Sequence, residues 1–351
     1  MDDLPDHFDL LVVGTGLIET ILAAAASRAG RSVLQLDRRG YYGAEWASLS
    51  LLQWEEWVAE QQAPAHSPAT YHNPFSNVEL VTDFGTLPAD SHLLSHDKLR
   101  GMSSKFSIDL CPRLVFSKGA LVDLLVQSNI CRYLEFKNCT KLLIHEPNSG
   151  GRWLHVPCTR DAVFTDKQLS LVQKRKFMRF IDTCTRLTKS EDEVAKQRDQ
   201  PFDQFLTTCG LDTRLISIVT SVAGSEKSDM IESLKFLERF IESSGRFGPT
   251  PFLWTLYGSG ELPQAFARLS AVFGGVYCLS QEVLSMQSHD ENVRIKLPSK
   301  EITCKFVAGS VTSLPARILT MSEEILYSHG VCITDKSIGC ADEHEVCYLT
   351  S

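Results

Sequence analysis

The residues best suited to chemistry in this sequence form a glycine-rich turn near the N-terminus. A short apolar run ends at Gly14-Thr15-Gly16, and an alanine-rich segment with the composition of a helix follows. A second apolar run ends at Asp37. A strand, a glycine turn, a helix and a second strand that ends on an acid form the dinucleotide-binding pattern. In that pattern the helix N-terminus holds a pyrophosphate and the acid holds a ribose hydroxyl.

One position of this pattern departs from the fingerprint Gly-x-Gly-x-x-Gly. Glu19 stands where the third glycine should allow the helix to pack closely on the strand. Its carboxylate would also repel a pyrophosphate, because two unit charges ~4 Å apart repel by about 1 to 4 kcal/mol between water-like and surface dielectric. We therefore expect Gly14, Gly16, Glu19 and Asp37 to form a retained structural turn that binds no FAD or other dinucleotide.

No other motif supplies a catalytic or metal-binding centre. The ten histidines show no His-Glu-x-x-His spacing, and the eleven cysteines include no Cys-x-x-Cys pair. A Gly-x-Ser-x-Gly nucleophile turn is also missing from the sequence. We predict no catalytic residue and no metal site, and we interpret the scattered cysteines as reduced thiols.

Composition limits the class of protein. With 43% hydrophobic and 22% charged residues, the 351-residue chain has the balance of an ordinary globular protein. The net charge of −8 argues against nucleic acid as the main partner. The acidic N-terminus does not resemble a signal peptide, and no apolar run approaches the ~20 residues of a membrane span. We therefore expect a cytosolic protein.

The period of the apolar residues changes along the chain and predicts an interrupted sheet domain. We expect a first part at 1–113 with a long loop at 61–99, a second domain at 114–244, and a return to the sheet at 245–351. In the second domain, alternation at 132–136 predicts a strand. Asn148-Ser149-Gly150-Gly151 predicts the turn of a β-hairpin, and helices are expected from about 165 to 244.

One of these helices carries an apolar stripe with two alternative interpretations. We predict a helix from Asp166 to about Leu187, capped by Thr165, with Phe177, Phe180 and Ile181 on one face. Such a stripe usually packs in the core of its own bundle. It could line a lipid groove only if the bundle left its centre unfilled.

Three motifs resemble the Rab escort protein and Rab GDP-dissociation inhibitor superfamily: FDLLVVGTGLIET at 8–20, LDRRGYYGAEWAS at 36–48 and GRFGPTPFLWTLYGSGELPQAFARLSAVFGGVYCL at 245–279. The third motif is long and unusual, so it carries most of the likeness. Trp46-Ala47-Ser48 and the segment at 157–164 resemble the escort branch more than the inhibitor branch.

The resemblance implies an α/β, flavoprotein-like fold: a GDI-type, Rossmann-related sheet domain with an inserted, mainly α-helical domain. It also implies a non-catalytic accessory protein. Such a protein binds Rab GTPases in the GDP state and presents them to the geranylgeranyl transferase heterodimer. It then shields the geranylgeranyl lipid on the way to a membrane, which it contacts only transiently.

Carried over position by position, the resemblance implies a Rab-binding face at Tyr42, Glu261, Arg268 and Cys278. Glu261 and Arg268 are seven residues apart, so two turns of one helix would let both side chains face the same way. The resemblance also makes the helix with Phe177, Phe180 and Ile181 the candidate for lipid shielding and transferase docking. An intramolecular salt-bridge network is the alternative role for the charged pair.

Members of the superfamily continue beyond the point where this sequence stops, so we expect a C-terminally truncated chain. Two other functions stay open. A Rab GDP-dissociation inhibitor would recycle prenylated Rabs and would differ in its affinity for the transferase. An FAD-dependent oxidoreductase would be a yellow protein, which the substitution at Glu19 disfavours.

Overall fold

The structure is a computed structural model that describes residues 4–62, 71, 73–81, 96–146, 152–198, 200–223, 230–289, 291–315, 330, 331 and 333. Its helices are α1 Leu17–Arg28, α2 Leu51–Gln62, α3 His96–Gly101, α4 Ala120–Gln127, α5 Arg160–Thr165, α6 Leu171–Leu187, α7 Glu191–Lys196, α8 Phe202–Thr208, α9 Thr213–Ala223, α10 Met230–Ser243 and α11 Glu261–Val272. Its strands are β1 His7–Val13, β2 Val33–Leu36, β3 Ser48–Leu49, β4 Ile108–Asp109, β5 Val115–Phe116, β6 Phe136–Asn138, β7 Leu143–Glu146, β8 Arg152–His155, β9 Phe252–Thr255, β10 Val276–Cys278, β11 Ser285–His289, β12 Asn292–Lys296 and β13 Glu301–Gly309.

Contacts between the described residues divide the chain into two units. The first unit draws on Met1–Arg113, Arg132–Glu135 and Thr255–Ser351. The second unit draws on Leu114–Cys131 and Phe136–Trp254. The chain therefore leaves the first unit after residue 113, returns to it briefly at 132–135, and returns again at 255.

A six-stranded sheet forms the framework of the first unit, in the order β10-β2-β1-β13-β12-β11. The strands from β10 to β13 are parallel, and β12 and β11 are antiparallel additions. Every residue of β2 is buried, as expected for a parallel strand covered on both faces. Leu11, Leu34 and Ile295 are fully buried in the core of this sheet, while Ala23 of α1 packs with Val12 in a smaller cluster.

The second unit has its own core. Its strands form a three-stranded sheet, β5-β9-β6, and the hairpin of β7 and β8. In the chain, β5 to β8 come before the helices α5 to α10, and β9 comes after them. Phe202, Leu206, Leu215, Ile218 and Leu234 are at most 1% exposed and lie in one cluster. Burying one such side chain contributes about 1.5 to 3 kcal/mol, so the helices form mainly through this shared core.

The predicted helix over 166–187 is wrong at its start, because two helices occupy this region. Helix α5 ends before Asp166, whose carboxylate accepts the amides of Gln168 and Leu169. A side chain that bonds its own backbone in this way competes with helix formation. Helix α6 begins after Ser170, which forms a capping box with Gln173.

The predicted strand over 132–136 is also wrong. Asn129, which follows the C-cap residue Ser128 of α4, adopts a left-handed conformation with φ of +61°. A 3-10 helix at Ile130–Tyr133 follows, and β6 starts only at Phe136. Alternation of apolar residues over five positions is too short to separate a strand from such a turn.

The hairpin prediction is confirmed at its strands, since β7 pairs antiparallel with β8. Its turn residues, Asn148-Ser149-Gly150-Gly151, lie outside the described residues. Within the predicted loop, α2 continues to residue 62, positions 73–81 contain no helix or strand, and α3 begins at residue 96. Positions 63–70, 72 and 82–95 of that loop are also outside the described residues.

The capping box predicts a measurable contribution of Ser170 to stability. We expect Ser170→Ala to lower the free energy of unfolding by about 1 kcal/mol, because the amide of Gln173 loses its acceptor. Urea denaturation followed by circular dichroism would measure the change. Ser217→Ala, at an exposed position within α9, is the control and should not destabilise the chain. Equal effects of the two substitutions would contradict a role for the cap.

Candidate functional site

The glycine turn after β1 directs its polar groups into the protein. The backbone amide and the hydroxyl of Thr15 both donate to Oδ2 of Asp37, at 2.9 and 2.7 Å. The other carboxylate oxygen accepts the amide of Arg39 at 2.9 Å. Asp37 is only 1% exposed. The carboxylate that would hold a ribose hydroxyl therefore binds the turn itself.

The hydroxyl of Thr15 also accepts the amide of Gly43, at 3.1 Å. This bond ties the turn to the loop that contains the tyrosine pair of the second motif. The turn keeps its left-handed geometry at Gly14, where φ is +106°. Its function in this structure is to connect three segments of the first unit.

The space beside the turn is filled by side chains. A Cβ atom built on Gly16 would lie 2.6 Å from Oε2 of Glu19. One built on Gly14 would meet the hydroxyl of Ser313 and lie 3.5 Å from Cγ of Glu19. Glu19 is 8% exposed and Ser313 is 5% exposed. A pyrophosphate needs close approach to this backbone, so the residues present do not fit FAD or another dinucleotide.

A second polar network fixes the loop that precedes α11. The buried carboxylate of Asp109 accepts the hydroxyl of Ser48, and it accepts the amide and hydroxyl of Ser259 at 2.9 and 3.0 Å. The amide of Gly260 donates to the hydroxyl of Ser48 at 2.8 Å. The three segments that contain Ser48, Asp109 and Ser259 thus meet at one carboxylate.

Glycine is required where this loop passes Ser48. A Cβ on Gly260 would lie 2.7 Å from the amide nitrogen of Ser48. Gly258 has φ of +94°, and a Cβ there would collide with Ser48 and lie 2.5 Å from Oδ1 of Asp109. The sequence Gly-Ser-Gly-Glu of the third motif therefore follows from close packing of two backbones.

The structure places Glu261 and Arg268 on α11, as predicted. Oε2 of Glu261 accepts the amide of Tyr257 at 3.1 Å. Partial burial raises the pKa of Glu261, the charge of Glu135 raises it further, and the bond from Tyr257 opposes both. The guanidinium of Arg268 lies over the ring of Tyr133, 4.7 Å from its centroid.

Tyr42 and Cys278 belong to another part of the first unit. The ring of Tyr42 makes an edge-to-face contact with the ring of Tyr277, with 6.0 Å between centroids. Cys278 follows Tyr277 on β10, and its carbonyl accepts the amide of Asp37 at 3.0 Å. Burial raises the pKa of the Cys278 thiol.

The four predicted residues therefore form two groups. Tyr42 lies with Tyr277 next to Cys278, whereas Glu261 and Arg268 contact neighbours of their own. Ser48 links the two groups: it is the first residue of β3, six residues after Tyr42, and its hydroxyl accepts the amide of Gly260, the residue before Glu261. Their role as a Rab-binding face remains a prediction.

Sequence reasoning missed the residues that position this region. Asp109, Ser48 and Ser259 are far apart in the sequence, and no local pattern links them. Tyr133 and Glu135 fall within the strand predicted over 132–136, and that pattern indicates no role for either side chain. Among these positions, the sequence pattern indicates a structural role only for Gly258 and Gly260, whose spacing predicts a tight turn.

The candidate lipid or transferase residues lie mostly in the core of the second unit. Phe177 is 7% exposed and Phe180 is 2% exposed, while Ile181 is partly buried against the same cluster. A partner cannot reach the two phenylalanine rings in this conformation. The exposed apolar residues of α6 are instead Leu171 and Val172, in its first turn.

Among the described residues, no group of three or more histidine, cysteine, aspartate or glutamate side chains is arranged to hold a metal ion. Within the same part of the chain, no helix has the length and apolar character needed to cross a membrane.

Comparison with known proteins identifies relatives over nearly the whole chain. Residues 3–94 and 91–350 match the family model described as GDI, GDP dissociation inhibitor. A Drosophila melanogaster protein named Rab proteins geranylgeranyltransferase component A is 33% identical over 350 residues, which are 97% of this chain and 66% of that protein. Its Caenorhabditis elegans counterpart, component A 1, is 32% identical over 99% of this chain and 74% of its own length. The chain thus spans about two thirds of the Drosophila relative.

Solved structures confirm the predicted fold class. A Rab GDI from Plasmodium falciparum superimposes with a TM-score of 0.60 at 22% identity, over 90% of this chain and 67% of that one. An oxidoreductase from Methanosarcina mazei superimposes with a TM-score of 0.52 at 13% identity, over 89% and 62% of the two chains. At these identities the likeness concerns the fold alone, which is flavoprotein-like and α/β.

The filled glycine turn predicts that restoring the fingerprint does not restore a cofactor. We expect Glu19→Gly to bind no FAD, because Ser313 still fills the space beside Gly14 and Asp37 still holds Thr15. Titration with FAD, followed by flavin fluorescence and visible absorbance, would measure binding. Unchanged circular dichroism would verify folding of the variant. Saturable FAD binding by this single variant would show instead that Glu19 alone closes the site.

Proposed function

This chain belongs to the GDP dissociation inhibitor family, and on that premise we propose that it binds Rab GTPases in their GDP state and presents them, before prenylation, to geranylgeranyl transferase. After prenylation it shields the geranylgeranyl lipid and delivers the Rab to a membrane. In this proposal the chain is an accessory protein that performs no catalysis and acts in the cytosol, with transient membrane contact.

The proposal depends mainly on one observation: relatives that share the name component A of Rab geranylgeranyltransferase align with nearly the whole chain. Proteins named as component A of Rab geranylgeranyltransferase align with 97% of this chain in Drosophila and 99% in Caenorhabditis elegans. The filled glycine turn supports the non-catalytic part, since it removes the space that a flavin would need. The partners and activity remain proposals, because each relative is longer than this chain.

We assign Rab binding to Tyr42, Glu261, Arg268 and Cys278 in the first unit. Tyr42 and Arg268 support this assignment because each presents a large side chain at a fixed place, one against Tyr277 and one on Tyr133. Fixed aromatic and arginine side chains are enriched among residues that dominate binding energy. The sheet domain at 1–113 and 245–351 carries this face in our proposal.

We assign lipid shielding and transferase docking to the domain at 114–244. Phe177, Phe180 and Ile181 can serve the lipid only if the helices separate, because the first two are buried. The transferase can meet the exposed first turn of α6 without such a change.

The second candidate function is a Rab GDP-dissociation inhibitor, which the description of the matching family model favours. Such a protein binds Rab after prenylation and does not serve the transferase. Capture of purified transferase by the immobilised chain separates the two functions. Retention together with an unprenylated Rab supports the escort function, and retention of prenylated Rab alone supports the inhibitor.

Reconstituted prenylation tests the proposed function directly. Purified transferase, GDP-loaded Rab and labelled geranylgeranyl diphosphate are combined with and without this chain. We expect label to enter Rab only when the chain is present, because the chain supplies the Rab to the enzyme. Incorporation that does not rise above the sample without the chain would contradict the escort function.

Truncation of Arg268 tests the assigned face. We expect Arg268→Ala to raise the Kd for GDP-loaded Rab about tenfold, which is a loss of about 1.4 kcal/mol of binding free energy. Arginine is enriched among the interface residues whose truncation costs more than about 1 kcal/mol. Isothermal titration calorimetry would measure the change. Arg28→Ala, at an exposed arginine in the last turn of α1, is the matched control. Equal Kd values for the two variants would remove Arg268 from the face.

A further inference from the structure

A four-residue segment of the chain joins the first unit although its neighbours belong to the second. Arg132–Glu135 is assigned to the first unit by its contacts, between Leu114–Cys131 and Phe136–Trp254 of the other unit. The carbonyl of Glu135 accepts the amide of Leu256 at 2.9 Å. This bond places the segment beside the loop that leads into α11.

The segment adds a second carboxylate beside Glu261. The amides of Leu256 and Tyr257 are consecutive, and they donate to the carbonyl of Glu135 and to the carboxylate of Glu261. Burial is the largest cause of the raised pKa of Glu261, and the charge of Glu135 is a smaller one that acts in the same direction. Neither carboxylate forms an ion pair with another described residue. Two like charges without a cation destabilise each other.

The same segment supports Arg268. Its guanidinium lies on the face of Tyr133, which is 52% exposed. No carboxylate in the described part of the chain pairs with this guanidinium. Stacking on a ring leaves the edge N–H groups of an arginine free to donate, and it fixes the plane in which they lie.

We propose that Tyr133 and Glu135 extend the Rab-binding face: Glu135 and Glu261 together accept a basic side chain of the GTPase, and Tyr133 holds Arg268 ready for an acidic one. This inference rests on the proposed function and adds two residues and a charge pattern to it. Tyr133 is a positioning residue, since it acts through Arg268. Glu135 is a contact residue.

Charge complementarity argues for this occupant. The pair of carboxylates offers four acceptor oxygens and only one of them is engaged by the backbone of Tyr257. A lysine or arginine from a partner would relieve their repulsion, which no group of this chain does within the described residues. The exposed ring of Tyr257, 59% accessible, lies beside these charges and offers aromatic contact area to a partner.

Charge reversal at Glu135 tests the acidic pair. We expect Glu135→Lys to lower the association rate constant for GDP-loaded Rab about tenfold at low salt, and Glu135→Gln to lower it about threefold. Both differences from wild type should shrink at high salt, because screening removes the steering. Stopped-flow kinetics at two salt concentrations would measure the rates.

A matched control exists at the far edge of the sheet. Glu291 is exposed in the turn between β11 and β12, whereas β10 forms the opposite edge. Glu291→Lys changes the net charge of the chain by the same amount as Glu135→Lys. We expect its rate constant to stay within twofold of wild type. Equal slowing by both reversals would show that net charge acts, and would overturn the local contact.

The role of Tyr133 has its own test. We expect Tyr133→Ala to raise the Kd about two- to fivefold, as an exposed cation–π contact would. Tyr133→Phe keeps the ring and should restore the wild-type Kd. In the background of Arg268→Ala, removal of the ring should have no further effect. A full effect of Tyr133→Ala without Arg268 would show direct contact with the partner, and would overturn the positioning role.

The outcomes separate this inference from the function on which it rests. A wild-type chain that binds no GDP-loaded Rab would overturn both. Binding that is weakened by Arg268→Ala but unchanged by Glu135→Lys and Tyr133→Ala would overturn the inference and leave the proposed function in place.

Discussion

A buried carboxylate, that of Asp109, fixes the position of the loop that leads into α11, the helix that carries Glu261 and Arg268. It is 7% exposed and accepts hydrogen bonds from Ser48 and Ser259, which lie 61 and 150 residues away in the chain. A buried charge is tolerated only when such donors satisfy it. The loop before α11 therefore has one position that keeps the carboxylate bonded, and Glu261 stands at the end of that loop.

Asp37 is a second buried carboxylate that hydrogen bonds hold in place, and it fixes the glycine turn. In a nucleotide site the turn and the acid both face a ligand, whereas here Thr15 donates two hydrogen bonds to Asp37. Glu19 and Ser313 occupy the space that remains. The backbone path of a cofactor-binding fold survives because the strand and helix still require it. Its polar groups stabilise contacts between loops, so the turn keeps its shape without a ligand.

The sequence predicted those features that depend on local pattern. The first strand, the glycine turn and α1 follow from short-range periodicity, and α11 follows from the spacing of its apolar residues. Periodicity did not predict the break at Asp166, because there one side chain competes with the helix for backbone amides. It did not predict the Asp109 network either, because that network joins segments that are distant in the sequence. The stripe with Phe177 was ambiguous for a different reason: periodicity identifies an apolar face but not what covers it.

The charges of the first unit follow from which carboxylates the fold satisfies. Asp37 and Asp109 are buried and accept several hydrogen bonds each, so they stabilise the interior. Glu135 and Glu261 form no ion pair with a cation of this chain within the described residues. Water screens the repulsion between such carboxylates at the surface, so the fold can hold both without a counter-charge. A basic side chain of a partner could then bind them without displacing a cation of this chain. In a chain of net charge −8, the same pair also lies in a field that attracts a basic partner surface before contact. In the proposed face, Arg268 would limit which basic surfaces can dock, since its guanidinium needs an acidic group at a fixed place beside them.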